Sequence, residues 1–189
     1  TAIDYLNEYI DVAGIGGKLV DTQILSNEDK RRADQYNKLP VHADVSHLGG
    51  GGLYRRSAIE SVRYLSHRGL KAFEEAELGL RLKSKGWKLV RVNEQAALHT
   101  GHYESSRQRL KRQWNNGRLA AHGTFIKSSI GKKWCMGCVK QLWYIFTPIA
   151  IHTFLLSFIL LLNVYIDYSP TLAVLFYMIA WLVIATYYR

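Results

Sequence analysis

Apolar residues recur along the chain at two spacings, and these divide it into elements. In Thr1–Ile10, Ile3, Leu6 and Ile10 fall on one face at helical spacing. Val12–Val20 follows as an apolar run and reads as a buried strand with a glycine kink. Residues 21–39 are polar and charged, with Lys30, Arg31 and Arg32 set between acids, and read as a loop carrying a surface helix. Ala58–Leu70 reads as a helix and connector that ends at Arg68-Gly69.

The pattern is clearest from Phe73 to His99. Glu74, Glu75 and Glu77 occupy a first helical turn, where the positive end of the helix dipole favours carboxylates. Leu78 and Leu82 lie four apart on one face, with Ala76 and Leu80 widening it. Gly86, preceded by Lys83 and Lys85, marks a helix stop with cations in its last turn. Trp87–Val92 then predicts a short strand, and a loop leads on to His99. A further helix is predicted from Arg107 to about Leu119, with Ser105 or Ser106 as its N-cap.

Beyond Gln141 the chain becomes apolar. Residues 142–166 and 171–188 carry no formal charge; the first run exceeds and the second approaches the ~20 residues that span a bilayer core. Asp167-Tyr168-Ser169-Pro170 forms a polar turn between them, which predicts a two-helix transmembrane hairpin. Trp143, Tyr144, Tyr165, Tyr168, Tyr187 and Tyr188 fall at the span ends, where an aromatic belt sits.

The formal charge is +10, and much of it is local. From Glu104 to Lys140 there are nine Lys or Arg residues and one acid. Abutting an apolar tract, that block points to an anionic membrane surface rather than to nucleic acid, for which no motif is present. By the positive-inside rule it also places both chain ends on the cytoplasmic side. Cys135 and Cys138 form one Cys-x-x-Cys with no paired His or Cys nearby, so they read as reduced structural thiols. His42, Asp44 and His47 form a short His/Asp cluster that reads as ordinary loop chemistry rather than a metal site.

Two adjacent carboxylates at a helix start are, taken alone, ordinary solvated residues. What changes the picture lies upstream. Gly49-Gly50-Gly51-Gly52-Leu53-Tyr54-Arg55-Arg56-Ser57-Ala58 joins four glycines to two arginines and a helix, and so bare a backbone admits close approach by a ligand. The order of glycine loop, Tyr-Arg-Arg-Ser-Ala, Glu-Glu-x-Glu-Leu-x-x-Arg-Leu, Gly-Trp and late histidine resembles the acceptor-side half of a family 2 glycosyltransferase over roughly residues 10–125.

The resemblance implies an α/β chain: a partial GT-A domain over 1–125, a basic juxtamembrane segment over 126–140, and two transmembrane helices. It implies that Gly49, Gly50, Gly51 and Gly52 lie beside donor sugar and acceptor. Glu75 takes the position of the catalytic base, where Asp is commoner, and Glu74 that of the residue before it. His99 takes that of the histidine that helps hold a metal–diphosphate, with Arg55 or Arg56 assisting. Gln108–Trp114 is a degenerate relative of the Gln-x-x-Arg-Trp motif, which would set Trp114 near an acceptor sugar. A divalent cation (Mg²⁺ or Mn²⁺), a nucleotide-sugar donor, a glycan or lipid-linked acceptor and membrane lipids are the implied cofactor and partners. The implied location is the inner membrane with the catalytic domain cytoplasmic. No Asp-x-Asp occurs in the chain, and no N-terminal βαβ unit precedes Val12, so the sequence reads as starting after the donor-binding half. The competing reading is a non-catalytic module that docks on a complete transferase.

Overall fold

The computed structural model describes residues 1–24, 27–100 and 104–165, together with 174, 177–179 and 181. The chain forms two compact units, Thr1–Cys138 and Val139–Arg189.

The first unit is built on a four-stranded mixed sheet. Its strands are β1 (Val12–Asp21), β2 (His42–Asp44), β3 (Gly52–Tyr54) and β4 (Lys88–His99), in the order β2-β4-β1-β3. The two long central strands run parallel, and the short edge strands pair antiparallel to them. Helix α1 (Ala2–Glu8) opens the unit with a capping box between Thr1 and Asp4, and α2 (Asn27–Asn37) follows β1. Helices α3 (Arg56–Ser61) and α4 (Glu74–Lys83) lie between β3 and β4 in sequence. Three further helices follow β4: α5 (Ser106–Asn115), α6 (Ala121–Ser129) and α7 (Cys135–Gln141).

One cluster of the core joins Ala13, Leu48, Ala58, Val62, Leu78, Leu82 and Leu89, which binds α3 and α4 to the sheet. Another joins Leu6, Val12, Ile15 and Val90 beneath α1. Val12 and Ile15 are three residues apart, a spacing that ordinarily puts strand residues on opposite faces. They share a cluster because the register slips between Val12 and Gly14, a β-bulge that turns the face.

Several sequence expectations change. Helix α1 ends at Glu8, and both Ile3 and Ile10 are exposed; Leu6 is its buried residue, with Tyr5 packed against the same cluster. Helix α3 stops at Ser61, and 62–73 is irregular. The expected loop before His99 is strand: β4 runs twelve residues because Lys18–Asp21 of β1 supplies a pairing partner as far as Asp21 and His99. The N-cap of α5 is Ser105, whose hydroxyl accepts from the Gln108 amide in a capping box. His42 stacks on Tyr5 and Asp44 pairs with Lys83, so the His/Asp cluster is spent on packing; no group of three metal-ligating side chains occurs among the described residues. The two cysteines are free thiols.

In the second unit, α8 (Trp143–Tyr165) contains a stretch, Trp143–Leu161, long and apolar enough to cross a membrane, none of it buried. Thr153 donates back to the Ile149 carbonyl at 2.9 Å, which satisfies its hydroxyl within the helix. The second apolar run, 171–188, lies almost wholly outside the described residues, so one such helix is described rather than a hairpin.

Candidate active site

Helix α4 starts at an unusual backbone. Its N-cap, Phe73, adopts the left-handed conformation at φ 68°, which a non-glycine residue holds only when its surroundings fix it. Here the Phe73 ring stacks on Phe125 of α6 at 5.4 Å and meets the His122 ring edge-on at 4.8 Å. The anchored turn presents Glu74 and Glu75 to a cavity of about 200 Å³ that is also lined by Gly51, Gly52, Tyr54, Leu65 and Ser66. One oxygen of Glu74, Oε2, is buried with no hydrogen-bond partner among the described residues. Glu77 Oε2, in the core, is in the same state, so what sets Glu74 apart is its place on the cavity wall, where its carboxylate can accept a hydrogen bond from a group in the cavity.

The cavity depends on how closely α4 approaches the loop before the glycines. At Gly79, in mid-helix, a Cβ would fall 2.2 Å from the Ser46 carbonyl oxygen, so only glycine fits. Gly79→Ala is expected to drive α4 off this loop and destabilise the domain by about 1–3 kcal/mol, the usual range for overpacking. Thermal denaturation checks this, and an unchanged Tm would mean that helix and loop part freely.

The glycine loop turns at Gly50 (φ 60°) and Gly51 (φ 86°), both in the left-handed region. Gly51 and Gly52 line the small cavity, while Gly49 lines a second one of about 550 Å³. The Tyr54 phenol is pushed up to about 12, first by burial and then by the nearby Glu75 charge, so it stays protonated and can donate. Burial pulls the His47 imidazole below its ordinary range, Arg91 adds to this and Glu75 opposes it, so His47 is neutral at pH 7.

Other residues singled out in the sequence lie apart from this cavity. Arg55 faces the backbone: its guanidinium donates to the carbonyls of Val12 (3.2 Å), Tyr9 (3.3 Å) and Leu6, closing the end of α1. Arg56 is 93% exposed and pairs with Glu60 one turn on. Trp114 is 74% exposed on α5. His99 ends β4 beside Asp21 at the end of β1; its Nδ1 lies 2.8 Å from Asp21 Oδ1, and the Asp21 side chain is only 2% exposed. This pair sits at the carboxyl ends of the two parallel strands, the rim where open α/β sheets bind ligands.

Glu77 and Arg81, from the same motif, are structural. Arg81 Nε donates to Glu77 Oε1 at 2.8 Å, and its Nη1 and Nη2 donate to the carbonyls of Val62, Tyr64 and Leu65. The Tyr64 hydroxyl also donates to Glu77 Oε1 at 2.8 Å. This clamp ties the irregular segment to α4 and so sets Leu65 and Ser66 against the two glutamates. Sequence reasoning missed Tyr54, Leu65 and Ser66. It also missed Arg91, a charge at a buried position between the apolar residues Leu89, Val90 and Val92 of β4.

No curated protein and no solved structure matches the chain. A family model does, that of glycosyl transferase family group 2, over residues 27–187. The matched range contains the glycine loop, both glutamates, the Glu77–Arg81 clamp, His99 and the apolar helix. On that extent of match, the chain belongs to glycosyl transferase family group 2.

Proposed function

We propose that this chain forms the acceptor-side part of a membrane-anchored, inverting glycosyltransferase in which Glu75 is the general base. The observation that carries the reading is the small cavity, where Glu74 and Glu75 share a wall with Gly51 and Gly52. At about 200 Å³ it is smaller than the ~300–1,000 Å³ of a complete ligand site, which suits the reacting end of a longer acceptor. An acceptor hydroxyl gives its proton to Glu75 as its oxygen bonds to the anomeric carbon of the donor sugar. The bond from that carbon to the diphosphate breaks, and the electron pair leaves with the nucleoside diphosphate. Glu74 Oε2 accepts a hydrogen bond from a second hydroxyl and orients the sugar. Transfer of labelled sugar by the protein in membranes tests this: activity in the native chain should collapse in Glu75→Gln.

His99 would offer a divalent cation one ligand, with Asp21 orienting its ring, since no group of three metal-ligating side chains occurs among the described residues. With Nδ1–H donated to the Asp21 carboxylate, Nε2 is the ligating nitrogen, a carboxylate–histidine arrangement common at metal centres. Diphosphate oxygens would complete the ligand set, and such a cation would neutralise the leaving group. His99→Ala is expected to raise the Mn²⁺ or Mg²⁺ concentration for half-maximal rate by roughly 10–100-fold. A lower Tm with an unaltered metal requirement would show that His99 only packs against Asp21.

The α8 span and the nine basic residues before it support the membrane-anchored reading with a cytoplasmic catalytic domain. A reporter inserted at Asp167–Ser169 is expected on the far side of the membrane; a cytoplasmic reporter there would contradict this topology.

A further inference from the structure

Helix α4 is held from α6 and α7 at two points outside the cavity. Phe73, its N-cap, has no polar side chain to close the first turn as Ser, Thr or Asp would. Its ring instead lies against Phe125 at 5.4 Å, with the planes only 8° apart. Phe125 is fully buried and continues the stack to Trp134, 6.3 Å away and 24° from parallel. Three rings thus run from the residue just before the glutamates to the segment 130–134 between α6 and α7. At the second point, Gly137 of α7 lies against Leu80 of α4, where a Cβ would fall 2.5 Å from Leu80 Cδ2. A left-handed backbone at a bulky residue persists only while its surroundings over-determine it. At Phe73 the stacked rings and the His122 edge supply that constraint. Their loss would let φ return to negative values and turn the peptide that carries Glu74 and Glu75. Neither Phe125 nor Trp134 lines the cavity, so an effect of either on the chemistry passes through this turn.

We propose that Phe125 is a positioning residue for transfer: it holds Phe73 in the left-handed conformation, which sets the Glu75 carboxylate against the acceptor hydroxyl. The inference rests on Glu75 as the base. A base serves only within hydrogen-bond reach of the proton it takes, and a misplacement of about 1 Å can cost roughly 10²-fold. The Glu77–Arg81 clamp grips α4 beyond the two glutamates, whereas the stacked rings fix the residue ahead of them. The outermost ring, Trp134, lies in the basic segment that precedes α8, which gives that segment a task in the chemistry.

The test is transfer of labelled sugar by the full-length protein in membranes, read as kcat and donor KM at matched expression. Phe125→Leu keeps an apolar side chain but no flat ring, and is expected to lower kcat by roughly 10–100-fold with donor KM unchanged. Trp134→Leu, one ring further out, should lower kcat several-fold, and it carries the test if Phe125→Leu accumulates poorly. Leu6→Ala, a core truncation beneath α1, should lower Tm and leave kcat unchanged. In a Phe73→Gly background, where glycine takes φ 68° with no ring to hold, Phe125→Leu should have almost no further effect on kcat. The same kcat loss from Phe125→Leu in both backgrounds, or an equal loss in Leu6→Ala, would overturn the proposal by showing plain destabilisation. Native kcat in Phe125→Leu and Trp134→Leu, beside a full loss in Glu75→Gln, would overturn the role of Phe125 alone. Near-native transfer by Glu75→Gln would overturn the base and the role of Phe125 with it.

Discussion

Arg81→Ala is expected to cost about 3–5 kcal/mol of stability, the range for stripping one partner from a buried ion pair. Glu77 is fully buried, with one carboxylate oxygen held by Arg81 and Tyr64 and the other without a partner among the described residues. Without the guanidinium, a near-naked carboxylate stays in the core and three carbonyls of the 62–65 segment lose their donor. Such a cost is a large share of the ~5–15 kcal/mol by which domains are stable, and Tm should fall on the order of 10 °C. Arg81→Lys should rescue little, because one ammonium cannot serve a carboxylate and three carbonyls in the fork geometry. Removing both charges with Glu77→Leu and Arg81→Met should recover part of the loss by ending the carboxylate's isolation. It cannot restore the carbonyls' donors. Thermal melts of the four proteins check the series, and a Tm for Arg81→Ala within 2 °C of the native chain (a bound set by the roughly 2–4 °C that each kcal/mol moves Tm) would refute the clamp.

This clamp shows where sequence stops being legible. The α4 pattern could be read because its signals are local: acids at the dipole's positive end, leucines four apart, Gly86 in the left-handed region at φ 87°. The Arg81 partners are carbonyls of an irregular segment, and a carbonyl leaves no trace in residue identity. The tail of β4 reads as loop because Asn93-Glu94-Gln95 is polar and breaks the apolar pattern; its strand state comes from β1, more than seventy residues away in sequence. Arg55 follows the glycine loop as a ligand-binding cation might, yet its charge goes to the carbonyls of Leu6, Tyr9 and Val12. For the site, the order of glycines and glutamates was enough to pair them. The cavity they share with Tyr54, Leu65 and Ser66 exists only once the sheet and the clamp are in place.

The second large effect belongs to Glu75. Glu75→Gln preserves size and helix propensity and removes only the capacity to accept a proton. Because it lies at the cavity wall rather than in the core, fold and donor KM should change little. Turnover should fall by roughly 10²–10⁴, the usual contribution of a positioned base. Glu75→Asp should keep a fraction of the rate, since the carboxylate is retained but withdrawn by one methylene. Glu74→Gln should be milder, as an amide still accepts from a hydroxyl, and Glu77→Gln should act mainly on stability through the Arg81 pair.

The most direct measurement is transfer of radiolabelled sugar from its nucleotide donor to endogenous acceptor by the full-length protein in membranes, comparing the native sequence, Glu75→Gln and Glu74→Gln at matched expression. A loss of two or more orders of magnitude confined to Glu75→Gln, with donor KM and Tm unchanged, is the predicted result. Near-native turnover by Glu75→Gln would contradict it and reduce the two glutamates to the acidic first turn of a helix.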